Sequence, residues 1–140
     1  MAEPTADRAV TVLVYSSHAR TRQQVVTALG RRPAPGLTVT VVEADLGQAV
    51  IDRCDEGDID LAILDGESAP SGGMGLARQL KDELDAPPPV VLLVGRRDDA
   101  WLATWSRAES VVAHPIDAVR LTEAVTQLLR RGAASVPAHG

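Results

Sequence analysis

Apolar residues fall in five short runs: Val10 to Tyr15, Leu37 to Val42, Ile59 to Leu64, Val90 to Val94 and Ser110 to Ala113. The runs are rich in valine, isoleucine and leucine and are mostly continuous rather than alternating. Strands of that kind need helices over both faces, which is the setting of a parallel sheet. Between the runs the apolar period lengthens to that of a helix. Ala19 to Leu29 carries Val25, Val26 and Leu29 as one stripe that Gly30 can terminate. Leu46 to Cys54 places Leu46, Ala49, Val50 and Arg53 at turn spacing, with Asp45 as the expected N-cap. A third helix is expected from Gly75 to Leu84, with Leu76, Leu80 and Leu84 on one face. It stops before Pro87-Pro88-Pro89, which forces an extended entry into the next strand. A short fourth helix should follow Asp98 as its cap. A fifth runs from Ala118 to Arg130 after Asp117, with Leu121, Val125, Leu128 and Leu129 facing inward.

Strand and helix thus alternate five times, which predicts an α/β fold. It should be a doubly wound parallel sheet with right-handed crossovers and a binding edge at the carboxyl ends of its strands. The 140 residues suit one domain, which at this size buries about two-thirds of its unfolded surface. The domain is expected over residues 10–131, with residues 1–9 a flexible lead and the unpatterned residues 132–140 a disordered tail.

Composition narrows the function classes. Hydrophobic content of 45% and charged content of 24% are ordinary for a soluble globular protein. No apolar run approaches the ~20 residues of a membrane helix. The polar opening Met-Ala-Glu-Pro-Thr-Ala-Asp-Arg lacks the basic start and apolar stretch of a secretion signal, so a cytoplasmic location is expected. The single cysteine, Cys54, has no internal disulfide partner and is read as a small packed hydrophobe. A net charge of -5 argues against nucleic-acid binding. The pairs Arg31-Arg32 and Arg130-Arg131 are read as solvated, and only Arg96-Arg97 falls near a strand end of interest.

In this fold one edge collects Asp65, Ser16-Ser17, Gly95 and His114-Pro115. These residues resemble the receiver domain of bacterial response regulators over roughly Val10 to Arg130. Leu61-Ala62-Ile63-Leu64-Asp65 is similar to the family's third strand ending in its phosphoacceptor aspartate. His114-Pro115 stands where the family has Lys-Pro, and Arg22 has the spacing of a basic residue common in its first helix. The resemblance implies a flavodoxin-like sheet of order 2-1-3-4-5 and a place in two-component phosphorelay signalling. It further implies a histidine kinase as phosphoryl donor and an output face made by the fourth helix, fifth strand and fifth helix.

Departures from the pattern are equally informative. Ser16-Ser17 replace an acidic pair, Gly95 replaces a Thr or Ser, His114 replaces the lysine, and Val111 replaces an aromatic switch residue. The loop Gly66 to Met74 is a residue or two longer than usual. Phosphoryl transfer needs charge neutralised on the phosphoryl oxygens, usually by a magnesium ion held through carboxylates. With Asp65 as the one retained carboxylate, that ion should bind weakly, and without acidic neighbours Asp65 can stay ionised unaided. His114 is a weaker cation than lysine, because its unperturbed pKa of about 6.5 leaves it mostly neutral at pH 7. Arg96 or Arg97 is a candidate standing ion pair for Asp65, weighed against plain solvated charge.

Aromatic residues are scarce, yet Trp101 and Trp105 lie four apart on the short fourth helix and so share a face. Core packing with Leu102 and partner docking weigh about equally for them. Tyr15 is read as packing beside the core with a wet hydroxyl. The resulting expectation is an atypical pseudo-receiver: a single domain, not an enzyme, with no catalytic residues or metal ligand set and at most weak magnesium binding. Its partner would be a protein, either a histidine kinase or a downstream target, with homodimerisation left open. The alternatives are a conventional phosphorelay receiver modified on Asp65 and a flavodoxin-type small-molecule binder using Ser16 to Thr21. A Ser16, His114, Asp65 triad lacks the supporting elbow motif.

Overall fold

A computed structural model of the chain describes residues 8–68, 72–96 and 101–135. Ten elements alternate in chain order: β1 (Arg8–Tyr15), α1 (Ala19–Leu29), β2 (Leu37–Ala44), α2 (Gly47–Asp55), β3 (Leu61–Asp65), α3 (Gly73–Glu83), β4 (Val90–Val94), α4 (Leu102–Ser106), β5 (Ser110–Ala113) and α5 (Ala118–Ser135). All pairings within the sheet are parallel and its order is β2-β1-β3-β4-β5, as the resemblance implied. β1, β3 and β4 lie inside the sheet, and β3 and β4 are buried at every position. Their unbroken apolar runs follow from that double coverage.

Alternate β1 side chains feed two cores, as the period of a strand requires. Val10, Val12 and Val14 pack with Val25 and Leu29 of α1 and Leu121, Val125 and Leu128 of α5. Leu13 and Tyr15 face the other way, with Val50 and Cys54 of α2 and Leu76, Ala77 and Leu80 of α3. Cys54 is buried as expected, and burial, with Asp58 nearby, pushes its thiol up to about 11 against the smaller pull of Arg53. Such a thiol is not a nucleophile near neutral pH. At the amino edge of the sheet, Lys81 Nζ donates to Glu109 Oε2 at 2.6 Å and to the Pro88 carbonyl at 3.1 Å. Glu109 Oε1 in turn accepts from Val90 N at 2.7 Å. The proline connector is thereby pinned to the start of β5.

Several boundaries differ from expectation. Leu46, not Asp45, holds the cap position of α2, with extended φ and ψ and no side-chain cap bond, while Asp45 is exposed. α3 starts at Gly73, two residues before the expected start, and Leu84 follows its end as C-cap. Ile59 is buried but lies outside β3, and Asp65 is the last residue of that strand. The predicted cap of α5 does form: Asp117 Oδ1 accepts from Val119 N at 2.8 Å and Arg120 N at 3.2 Å. α5 then runs on through Gly132 to Ser135, where a disordered tail was expected, and β1 begins at Arg8, inside the expected flexible lead. Residues 1–7 and 136–140, and Asp98 as the predicted cap of α4, lie outside the described residues.

Candidate functional site

The carboxyl ends of β1, β3, β4 and β5 bring Ser16, Asp65, Gly95 and His114 to one edge, because parallel strands in register end on the same side. Asp65 is 1% exposed, and its surroundings differ on its two sides. Toward β1, Ser16 Oγ donates to Asp65 Oδ2 at 2.7 Å, and Ser68 Oγ reaches the same oxygen at 3.3 Å. Ser16 and Ser68 are both buried, with their hydroxyl oxygens 3.4 Å apart. His18 N donates to Ser16 Oγ at 3.0 Å and Ser17 N to Ser68 Oγ at 2.8 Å. The amides of Ser17 and His18, the two residues before α1, are therefore committed to serine hydroxyls.

Tyr15 corrects an expectation. Its side chain is fully buried and its hydroxyl bonds to Ser68 rather than to solvent. Burial raises its pKa above the usual value, with smaller contributions from the Asp65 and Asp45 charges, against a lowering by Ser68. Arg22 is also drawn to this side, donating from Nη1 to the Ser16 carbonyl at 2.7 Å and from Nε to Glu43 Oε1 at 3.0 Å. It thereby ties the carboxyl ends of β1 and β2 together.

Toward β4 and β5 the site is looser. Asp65 Oδ1 accepts from Glu67 N at 2.9 Å, and His114 Nε2 stands 3.8 Å away with its side chain 26% exposed. The His114–Pro115 peptide bond is cis. Val111 is half-buried against the core that α2 and α3 cover. Ser16 and His114 approach different oxygens of Asp65, so the three residues do not line up as a hydrolytic triad. Arg96 is exposed, and among the described residues the basic side chain beside Asp65 is His114, at 3.8 Å; Arg97 lies outside them.

Two residues of this site were missed by sequence reading. In sequence Ser68 reads only as part of the Gly66 to Met74 loop, although serine is a frequent turn residue whose hydroxyl bonds locally. Glu67, an exposed residue, donates from its backbone N to Asp65 Oδ1 and sets its carboxylate beside Gly95. A Cβ added at Gly95 would meet Glu67 Oε1 at 3.0 Å. Two glycines set the backbone around Asp65. A Cβ on Gly73 would lie 2.7 Å from the Asp65 carbonyl carbon, and one on Gly66 would lie 2.7 Å from the Leu93 carbonyl oxygen. Side chains at either position would force the end of β3 to move.

Trp101 and Trp105 are 66% and 47% exposed, so the core-packing alternative fails for both. The guanidinium of Arg78 on α3 lies 5.0 Å from the centre of the Trp105 ring, and its Nη1 donates to the Trp105 carbonyl at 3.1 Å.

A five-stranded parallel sheet of this order, with an aspartate at the end of its third strand, defines a receiver domain. The chain belongs to the response regulators. It is 52% identical over 137 residues to the uncharacterized response regulatory proteins of two Mycobacterium tuberculosis strains, covering 97% of this chain and 99% of each relative. No family model matches. Solved receiver domains share the fold at lower identity. The signal receiver domain attributed to the Luxo repressor of Vibrio parahaemolyticus superposes with a TM-score of 0.80 at 19% identity, over 95% of this chain and 99% of its own. The receiver domain of NarL from Mycobacterium tuberculosis gives 0.72 at 22%, over 88% and 98%. A co-crystal of the Saccharomyces cerevisiae phosphotransfer protein Ypd1 with the receiver domain of Ssk1 gives 0.78 at 17%, over 94% and 97%. Among the described residues no helix is long and apolar enough to cross a membrane.

Proposed function

We propose that this receiver works in signal transduction through protein contacts, with Asp65 retained as a hydrogen-bonded structural carboxylate and metal-dependent phosphorylation weak or lost. The observation that carries this reading is the 2.7 Å bond from Ser16 to Asp65 Oδ2, buried at both ends. A magnesium ion in such a site would draw on carboxylates at the ends of β1 and β3. Here the β1 end offers neutral hydroxyls that already donate to Asp65, so the residues do not fit a dication that sheds its water reluctantly. No group of three His, Cys, Asp or Glu side chains is gathered for a metal among the described residues. On this reading the protein is not an enzyme, carries no cofactor and acts in the cytoplasm.

Its partner is a protein, by analogy with the phosphotransfer protein seated on a receiver of the same fold in yeast. The exposed pair Trp101 and Trp105 is the docking candidate, since tryptophan is enriched among residues that dominate binding energy. Incubation with acetyl phosphate and magnesium followed by intact-mass measurement tests the first half of the proposal. The unmodified mass is expected. A one-phosphoryl adduct that Asp65→Asn lacks would overturn it in favour of a conventional phosphorelay protein.

A further inference from the structure

The short helix α4 packs chiefly against α3, and a chain of polar contacts joins the two. Arg78 of α3 donates from Nη1 to the Trp105 carbonyl at 3.1 Å, and its guanidinium lies 5.0 Å from the centre of the Trp105 ring. Its Nε stands 3.7 Å from Oδ2 of Asp82, one turn further along α3. The other oxygen of Asp82 accepts from Arg107 Nη1 at 2.8 Å. Arg107 directly follows α4. The contacts therefore run from the Trp105 ring to Arg78, on to Asp82, and back to the end of the helix that carries the ring.

The backbone of Arg107 supplies a second, independent sign. Its φ is 65°, and among the described residues it is the one non-glycine in the left-handed region. Helices often end on a residue of that conformation, and glycine is its usual occupant because a side chain there strains the backbone. Arginine is the poorer choice for such a backbone, and what the position gains from it is the bond to Asp82.

We propose that Arg78, Asp82 and Arg107 act as a clamp that holds α4 to α3 and sets the orientation of the Trp105 ring, with Arg78 as the positioning residue. A helix of five residues does not sustain itself in water, so its place depends on ties from outside. The strain at Arg107 is kept because the clamp needs a guanidinium there. The tryptophan face thereby extends over α3: a partner that covers Trp105 also meets Arg78, whose side chain is 46% exposed. The clamp takes its purpose from the docking role given to Trp105 above, yet its test needs no partner, so the two fail separately.

Trp101→Phe leaves Trp105 as the sole tryptophan and so as the reporter. In that background Arg78→Ala should raise acrylamide quenching by about 1.5-fold at an unchanged urea midpoint, within the roughly two-fold limit open to a ring already 47% exposed. Arg107→Gly is the sharper arm, since the tie of Arg107 to the ring runs through Asp82 and Arg78. It should raise quenching in the same direction while the urea midpoint holds or climbs, because glycine relaxes the left-handed backbone. Combining the two should quench no more than Arg78→Ala alone, as both open one clamp. Three results refute the clamp: quenching unchanged in either single variant, effects that add in full, or a urea midpoint that drops in step with quenching in both.

Discussion

The two oxygens of Asp65 live in different surroundings. Oδ2 faces β1 and is held by two buried serine hydroxyls that are themselves bonded to backbone amides. Oδ1 faces β4 and β5, where one amide donates and a partly exposed imidazole stands beyond hydrogen-bond reach. One side is a closed hydrogen-bond network around a buried oxygen; the other holds a single backbone donor and a partly exposed imidazole. Both oxygens of the buried carboxylate thus have a donor, with the larger set on the β1 side. The lesson is that the β1 end, which carries no acidic side chain, is not a hole. Serine hydroxyls fill it and donate to Asp65.

Breaking both sides at once should have the largest effect. Gly73→Ala puts a methyl 2.7 Å from the Asp65 backbone, so β3 or α3 must shift. The expected loss is about 3 kcal/mol in urea unfolding, the upper range for overpacking. A loss below about 1 kcal/mol would mean that α3 adjusts freely.

Next comes the closed side alone. Ser16→Ala strips a donor from a buried carboxylate and an acceptor from His18 N, at an expected cost of about 2 kcal/mol. His114→Ala on the open side should cost less than about 0.5 kcal/mol, the scale of a loose, partly solvated pair. Equal losses in the two variants would erase the distinction between the sides.

The smallest effect is a titration. Tyr15, the only tyrosine, binds its proton more tightly folded than unfolded, chiefly because it is buried. Its contribution to stability is therefore complete below pH 10.0 and lost as pH rises through the higher folded value. Absorbance of the tyrosinate band should show a midpoint above 10.0 in the native protein. A midpoint at or below that value would show the β1 side to be wet.

Much of the fold was legible because doubly covered strands write themselves as unbroken apolar runs. β4, β5 and the bounds of α1 came straight from pattern. Asp117 was readable as a cap because it directly precedes the α5 stripe, whereas Asp45 misled: the chain turns one residue later, at Leu46. The positions of Asp65, Ser16, Gly95 and His114 followed from parallel strands ending together. What Ser68 and Glu67 do was not legible, since it depends on how one loop folds back over the sheet edge. Exposure of the tryptophans was equally hidden, because four-residue spacing states which residues share a face but not whether that face is covered.

The sheet ends on β5, a strand of four residues, while the opposite border, β2, has eight. A valine-rich sheet invites foreign chains to extend it, and a border this brief offers them few backbone groups to grip. Brevity at that margin leaves an added strand little to pair with, so the eight-residue β2 is the border where the sheet could be extended.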